Sequence, residues 1–223
     1  MALAMFLHEI PAIAAGLDAL TVAHPLFGDP DRSRFPWRRR DADFGGLARM
    51  ILGQQVSTQA AAAMEAKLEL LMPEAEPAFF LTLTDDQLRG AGFSQQKMRY
   101  GRALAETLVA DSQFLARLTD MDDETVIATL ITLPGIGRWS AEVYLMFCLG
   151  RPDIWPAGDL GIVLGAQYLL NLPEKPKPSA ATALAEIWRP YRSAAALLVW
   201  DHYTQVALKR RREQRQAAKG SKA

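Results

Sequence analysis

Apolar residues return at a spacing of three to four in nearly every segment of this chain, and no run alternates β-branched with polar residues between turns. A chain patterned this way buries its apolar stripes helix against helix, so the fold expected is all-α. Hydrophobic residues make up 50% of the 223 positions, core enough for one large domain or two small lobes. A disordered or fibrous chain is excluded.

The first helix is expected over Met1 to Leu20, with Leu3, Phe6, Leu7, Ile10 and Ile13 toward the core, followed by a loop from His24 to Arg40. In that loop Phe35 to Arg40 mixes aromatic and basic residues, suited to touching a sugar-phosphate backbone or to tucking Trp37 away. Asp43 opens a helix that ends at Gly53-Gln54-Gln55; Ser57 caps the next, which stops at Pro73. Thr84 with Gln87 is a capping-box pattern for a short helix ending near Gly90, and a longer helix spans Gln95 to Ala110. Asp122, Asp123 and Glu124 suit the positive end of a helix that terminates at Leu133-Pro134-Gly135. An apolar helix then runs to Leu149, a Pro-rich loop from Gly150 to Gly158, and a helix from Asp159 to about Leu170. Beyond Pro173, Pro176 and Pro178, two more are expected, Ser179 to Trp188 and Tyr191 to Lys209. With no internal repeat, this pattern predicts two helical lobes with a cleft between them. Residues 42–150 form a central lobe with the glycine hairpin, and 1–41 with 151–223 form the second.

Lys plus Arg equal Asp plus Glu at 25 each, so attraction to a polyanion has to come from local clusters. The clearest cluster is the tail at 209–223, with Lys209, Arg210, Arg211, Arg212, Arg215, Lys219 and Lys222 at an end expected to fray. It serves salt-dependent DNA affinity or solubility. The single cysteine, Cys148, sits among apolar neighbours as a buried residue of a reducing compartment. One cysteine excludes an internal disulfide, a four-cysteine iron–sulfur cluster and a Cys-rich zinc site, so no metal and no cofactor are expected. His8, Glu9 and Asp18 interrupt the apolar N-terminal stretch, and no basic region precedes it. The expectation is a soluble, cytoplasmic protein without a membrane partner.

Between two helices lies Leu133-Pro134-Gly135-Ile136-Gly137-Arg138-Trp139-Ser140-Ala141. Two glycines spaced one apart let the main chain turn tightly and approach a ligand closely. Amides at the start of the following helix then point outward, a phosphate site without a charged side chain. A plain tight turn has the same letters. A dinucleotide site is excluded, because the third glycine and the strand–helix–strand frame are missing.

This stretch resembles the hairpin of the helix-hairpin-helix DNA glycosylases. Three further blocks follow that superfamily's order: Ile51 to Ala61, Gly92-Phe93-Ser94-Gln95-Gln96-Lys97-Met98-Arg99-Tyr100, and Trp188-Arg189-Pro190-Tyr191-Arg192-Ser193 through Leu197-Leu198-Val199-Trp200. Asp159 falls where the superfamily keeps its catalytic aspartate. The matches reach from about Asp43 to Tyr203 and are most similar to the 3-methyladenine DNA glycosylase II type. That resemblance implies action on damaged bases in double-stranded DNA during base excision repair, and a DNA-binding cleft between two lobes works as a monomer.

It also implies a role for each candidate. Excision leaves positive charge on the sugar as the N-glycosidic bond lengthens, and a fixed carboxylate, Asp159, stabilises it or aligns water; a mere helix cap is the competing reading. An alkylated purine is already cationic, so one carboxylate suffices. Trp139 and Trp200 fall where alkylbase glycosylases place pocket aromatics, whose negative faces hold such a cation; core packing is the alternative. Longer bacterial members carry a further pocket tyrosine where this chain has Val143; Tyr144 beside it is the candidate, although one step along a helix turns a side chain to another face. Gln55, with Gln54 as its neighbour, is the candidate plug for the gap left by the flipped base. Longer relatives use an apolar plug, so a polar one points to a different damage preference. Gly135, Ile136, Gly137, Arg138 and Ser140 are the candidate phosphate-binding positions, and the hairpin carbonyls a candidate monovalent-cation site. Strand-cleaving members carry a Schiff-base lysine where Trp139 stands, so a monofunctional glycosylase is implied. Two alternatives stay open: a glycosylase for oxidised, deaminated or mismatched bases, and a non-enzymatic helix-hairpin-helix DNA-binding module.

Overall fold

The computed structural model describes residues 5–220, apart from the side chains of 210–212 and 214–220. Among them the chain forms α1 (Pro11–Ala23), α2 (Phe44–Gly53), α3 (Thr58–Leu71), α4 (Pro77–Thr82), α5 (Asp85–Ala91), α6 (Gln95–Ala110), α7 (Phe114–Leu118), α8 (Asp123–Leu130), α9 (Arg138–Phe147), α10 (Leu160–Leu169), α11 (Pro178–Ala185) and α12 (Arg192–Gly220). Pairing between extended segments among the described residues is limited to one antiparallel bridge, Phe6 with Arg38. The fold is all-α. None of these helices is long and apolar enough to cross a membrane.

Polar caps place six of these helix starts. The side chains of Asp43, Ser57, Thr84, Ser94, Asp122 and Asp159 each accept a hydrogen bond from a first-turn amide. Each such cap contributes on the order of 1 kcal/mol. The first helix departs from expectation: α1 begins only at Pro11, preceded by a 3₁₀ turn at Leu7–Glu9. Proline cannot donate to an earlier turn and holds Ile10 extended, with φ −66° and ψ 122°. Leu7 and Ile13 are buried as expected, Ile10 only partly, and Leu3 lies outside the described residues. At the other end α12 continues past Lys209 to Gly220. Of the basic tail, the side chains of Arg210, Arg211, Arg212, Arg215 and Lys219, and the whole of Lys222, lie outside the description.

The chain divides into two compact units. Residues 40–149 carry α2 to α9, with Leu47, Ile51, Leu104 and Leu145 buried and Phe44, Phe80 and Phe93 in successive edge-to-face contact. Cys148 is buried here as a free thiol. Residues 1–39 with 150–223 join α1 to α10, α11 and α12. In this unit Gly16 of α1 lets the helix approach α12 closely, since a Cβ there would stand 3.0 Å from those of Tyr191 and Ala194. Trp155 packs on Trp188 at 5.2 Å between ring centroids, and both are buried.

Candidate nucleic-acid interface and active site

In the 40–149 unit, α8 runs into the glycine turn and α9 runs out of it. Gly135 has φ +82°, and a Cβ there would lie 2.2 Å from the Tyr100 ring, so only glycine lets the turn lie against α6. Ile136 anchors the turn from inside, buried, with its amide donating to the Leu133 carbonyl at 3.1 Å. Gly137 is the N-cap of α9 and offers no side chain to the first-turn amides, unlike the caps of α2, α3, α5, α6, α8 and α10. Uncapped amides at a positive helix end favour an anion. Arg138 brings its main chain to this end, while its guanidinium pairs with Glu124 at 2.6 Å and Glu142 at 2.9 Å. Hydrogen bonding to Glu124 raises the pKa of Arg138 further. Ser140 is buried, so its hydroxyl works inside the protein.

That hydroxyl meets the glutamine loop. Gln54 Nε2 donates to the Gly135 carbonyl at 2.9 Å and to Ser140 Oγ at 3.2 Å. Gln54 is therefore committed to the hairpin. Gln55 is exposed, adopts φ +58°, and makes no hydrogen bond among the described residues. A non-glycine residue held in the left-handed region is uncommon and concentrates at functional sites.

Trp139 stands half-buried in the first turn of α9. Tyr144 is different: its ring has no accessible surface and its hydroxyl no hydrogen-bond partner, and burial pushes its pKa well above the ordinary value. The side chain is sealed into the interior, where no base reaches it. The expected pocket role for Tyr144 is corrected on that ground, and Val143 is the partly exposed neighbour. Of the hairpin carbonyls offered for a cation, those of Leu133 and Gly135 are occupied by Ile136 N and Gln54 Nε2. Among the described residues no three His, Cys, Asp or Glu side chains are grouped as metal ligands.

In the other unit Asp159 caps α10. Its Oδ1 accepts from Ile162 N at 3.0 Å and from Trp200 Nε1 at 2.9 Å, and the residue stays partly exposed. Two donors on one oxygen fix the plane of the carboxylate. Gly161 makes room for this arrangement: a Cβ there would stand 3.0 Å from both Asp159 Oδ1 and Trp200 Cδ1. Trp37 packs against Trp200, the ring centroids 5.7 Å apart and tilted by 34°. Its strand-like segment is pinned by Leu7 N to the Trp37 carbonyl at 2.9 Å and Arg39 N to the Met5 carbonyl at 2.8 Å.

The fourth sequence block holds the loop that delivers Asp159. Ser193, buried, donates through Oγ to the Arg151 carbonyl at 2.6 Å and accepts from Ile154 N at 3.0 Å. Arg192 Nε and Arg189 Nη1 each reach Asp153 at 2.8 Å, and Arg192 Nη2 also reaches the Asp153 carbonyl. Charge-assisted, multidentate bonds of this kind fix geometry as well as adding energy.

Sequence reasoning missed Trp37, Tyr100 and Gly161 as parts of these two clusters, and Lys97, whose Nζ donates to the Gln54 carbonyl at 2.8 Å. The only signal for Trp37 was its aromatic and basic loop, and for Gly161 the four-residue spacing to Gly165. Neither tells which partner the residue meets.

Against known proteins, residues 48–190 match the family described as HhH-GPD superfamily base excision DNA repair protein. DNA-3-methyladenine glycosylase 1 of Schizosaccharomyces pombe is 32% identical over 161 residues, 69% of this chain and 69% of its own. YfjP of Bacillus subtilis is 32% identical over 125 residues, and that match spans 56% of this chain but only 44% of YfjP. Among solved structures, the S. pombe 3-methyladenine DNA glycosylase in complex with abasic DNA superposes with a TM-score of 0.70 at 28% identity, covering 84% of this chain and 94% of that one. The protein belongs to the HhH-GPD superfamily of base excision DNA repair proteins.

Proposed function

We propose that this protein is a monofunctional DNA glycosylase that hydrolyses the N-glycosidic bond of alkylated purines, 3-methyladenine and 7-methylguanine among them, acting as a cytoplasmic monomer on damaged duplex DNA. The observation that carries this reading is the Asp159 carboxylate, oriented by the Trp200 indole and by the first turn of α10. The names of the relatives, which specify 3-methyladenine, support the substrate class.

As the bond from C1′ to the purine nitrogen breaks, its electron pair leaves with the base, which becomes neutral, and positive charge develops on the sugar. A carboxylate held beside C1′ stabilises that charge without having to reorient. Water then adds to C1′ and gives up a proton, leaving an abasic site. Trp139 and Trp200 serve the cationic base through their electron-rich faces. The first-turn amides of α9 take a backbone phosphate, and Gln55 fills the vacated stack. Trp139 replaces the amine that a strand-cleaving enzyme needs, so the phosphodiester backbone stays intact.

The test is single-turnover excision from oligonucleotides carrying 3-methyladenine, 7-methylguanine, hypoxanthine, ethenoadenine, oxoguanine or uracil. The expected result is release of alkylated purines, no borohydride-trapped adduct, and an Asp159→Asn variant that binds DNA but leaves the base in place. Turnover by that variant contradicts the role of Asp159. Preference for oxoguanine or uracil moves the protein to another glycosylase class, and inertness toward all six bases favours a DNA-binding module.

A further inference from the structure

The block Gly92 to Tyr100 has no role in the chemistry described above, yet it touches both DNA-facing loops of its unit. Ser94 caps α6 by accepting from Lys97 N at 3.3 Å, which sets Lys97 in the first turn. From there Lys97 Nζ donates to the Leu52 carbonyl at 2.6 Å and the Gln54 carbonyl at 2.8 Å, where α2 ends. A cation here meets carbonyls that no helical amide satisfies, at the negative end of the helix dipole. Partial burial lowers the lysine's pKa. One turn along α6, Tyr100 supports the Gly135 turn, and Gln96 Nε2 donates to the Tyr100 hydroxyl. Residues three apart on a helix share a face. One face of α6 thus carries both the glutamine loop and the hairpin, and Gln54 ties the two together through Gly135 and Ser140.

We infer that Lys97 and Gln54 are positioning residues: Lys97 fixes the backbone that holds Gln55 in its left-handed conformation, and Gln54 sets that plug in register with the phosphate-binding turn. The inference rests on the reading of Gln55 as the plug. Its consequence is specific. A loosened plug matters only where a base stack has to be opened and filled, so loss of Lys97 impairs excision from duplex DNA and spares excision from a single strand.

The experiment compares the whole protein with Lys97→Met, Lys97→Arg, Gln54→Leu, Gln55→Ala and the double variant Lys97→Met/Gln55→Ala. Single-turnover excision is measured from duplex and from single-stranded oligonucleotides carrying one 3-methyladenine analogue. Duplex excision is expected to fall by about ten- to a hundredfold in Lys97→Met and Gln54→Leu, the scale of a small misplacement of a working group. Single-strand excision stays within about twofold, Lys97→Arg recovers much of the duplex rate by restoring a donor, and the double variant is no slower than Gln55→Ala. Equal loss on both substrates, additive effects in the double variant, or unchanged rates each overturn the inference. If the wild-type protein releases no base, the proposed activity fails, and the positioning claim is then read from the fluorescence of 2-aminopurine beside an abasic analogue in duplex DNA. A wild-type signal that Lys97→Met and Gln55→Ala lose alike upholds the claim; a signal that Lys97→Met retains overturns it.

Discussion

Asp159 does two jobs with one oxygen, capping α10 through Ile162 N and receiving the Trp200 indole N–H. The cap alone would be served by any Asp, Asn, Ser or Thr. The indole bond adds what a cap does not need: a second direction that fixes the carboxylate plane, with Trp37 packed on Trp200. Trp200→Phe keeps a large ring for stacking and removes the donor. A hydrogen bond to a charged acceptor is worth roughly 1.5–3 kcal/mol, so single-turnover excision is expected to slow by about ten- to a hundredfold. DNA affinity, read by fluorescence anisotropy, should change little. An undiminished rate would show that the indole N–H does not contribute to positioning the carboxylate.

At the scale of elements, Trp200 meets Asp159 because α10 and α12 pack closely through Gly161 and Gly165. A Cβ at Gly165 would stand 2.6 Å from both Cγ1 and the carbonyl oxygen of Val199, where backbone has to give way. Overpacking of this kind costs about 1–3 kcal/mol. The better helix propensity of alanine offsets at most about 1 kcal/mol. Gly165→Ala should therefore lower Tm by roughly 2–8 °C in a thermal melt. Gly161→Ala meets only side-chain atoms at 3.0 Å, so it should slow excision while Tm moves less. The reverse ranking would remove the seam as the cause of the Trp200 geometry. Helix starts were readable in the sequence because a cap and its helix are local: Asp43, Ser57, Thr84, Ser94, Asp122 and Asp159 all stand where their side chains announce them. The short α4 and α7 were not, since six and five residues carry too little period to register. Site contacts such as Lys97 with Gln54 or Trp37 with Trp200 join residues far apart in sequence, and packing alone selects them.

The molecule as a whole carries as many positive as negative side chains, so it has no net attraction for DNA at long range. Arg138 and Arg192, both close to the candidate sites, are committed to carboxylates within their own units. In the proposed function, phosphate recognition at the hairpin rests on main-chain amides, which hold one register without adding charge. The salt-dependent part of binding has to come from elsewhere, and the densest supply is Lys209 to Lys222, beyond Trp200 in sequence. A chain ending at Leu208 retains Asp159, Trp200 and the hairpin, and is expected to excise bases at the wild-type rate when DNA is saturating. Its affinity should depend less on salt. The slope of log K against log salt falls in magnitude by about 0.9 for each phosphate contact the tail had made. Titrations of a fluorescent duplex at several salt concentrations measure that slope directly. An unchanged slope would leave the tail a role in solubility alone and put the ionic contacts on Trp37's neighbours, Arg38 and Arg39, which lie exposed in the same unit as Asp159.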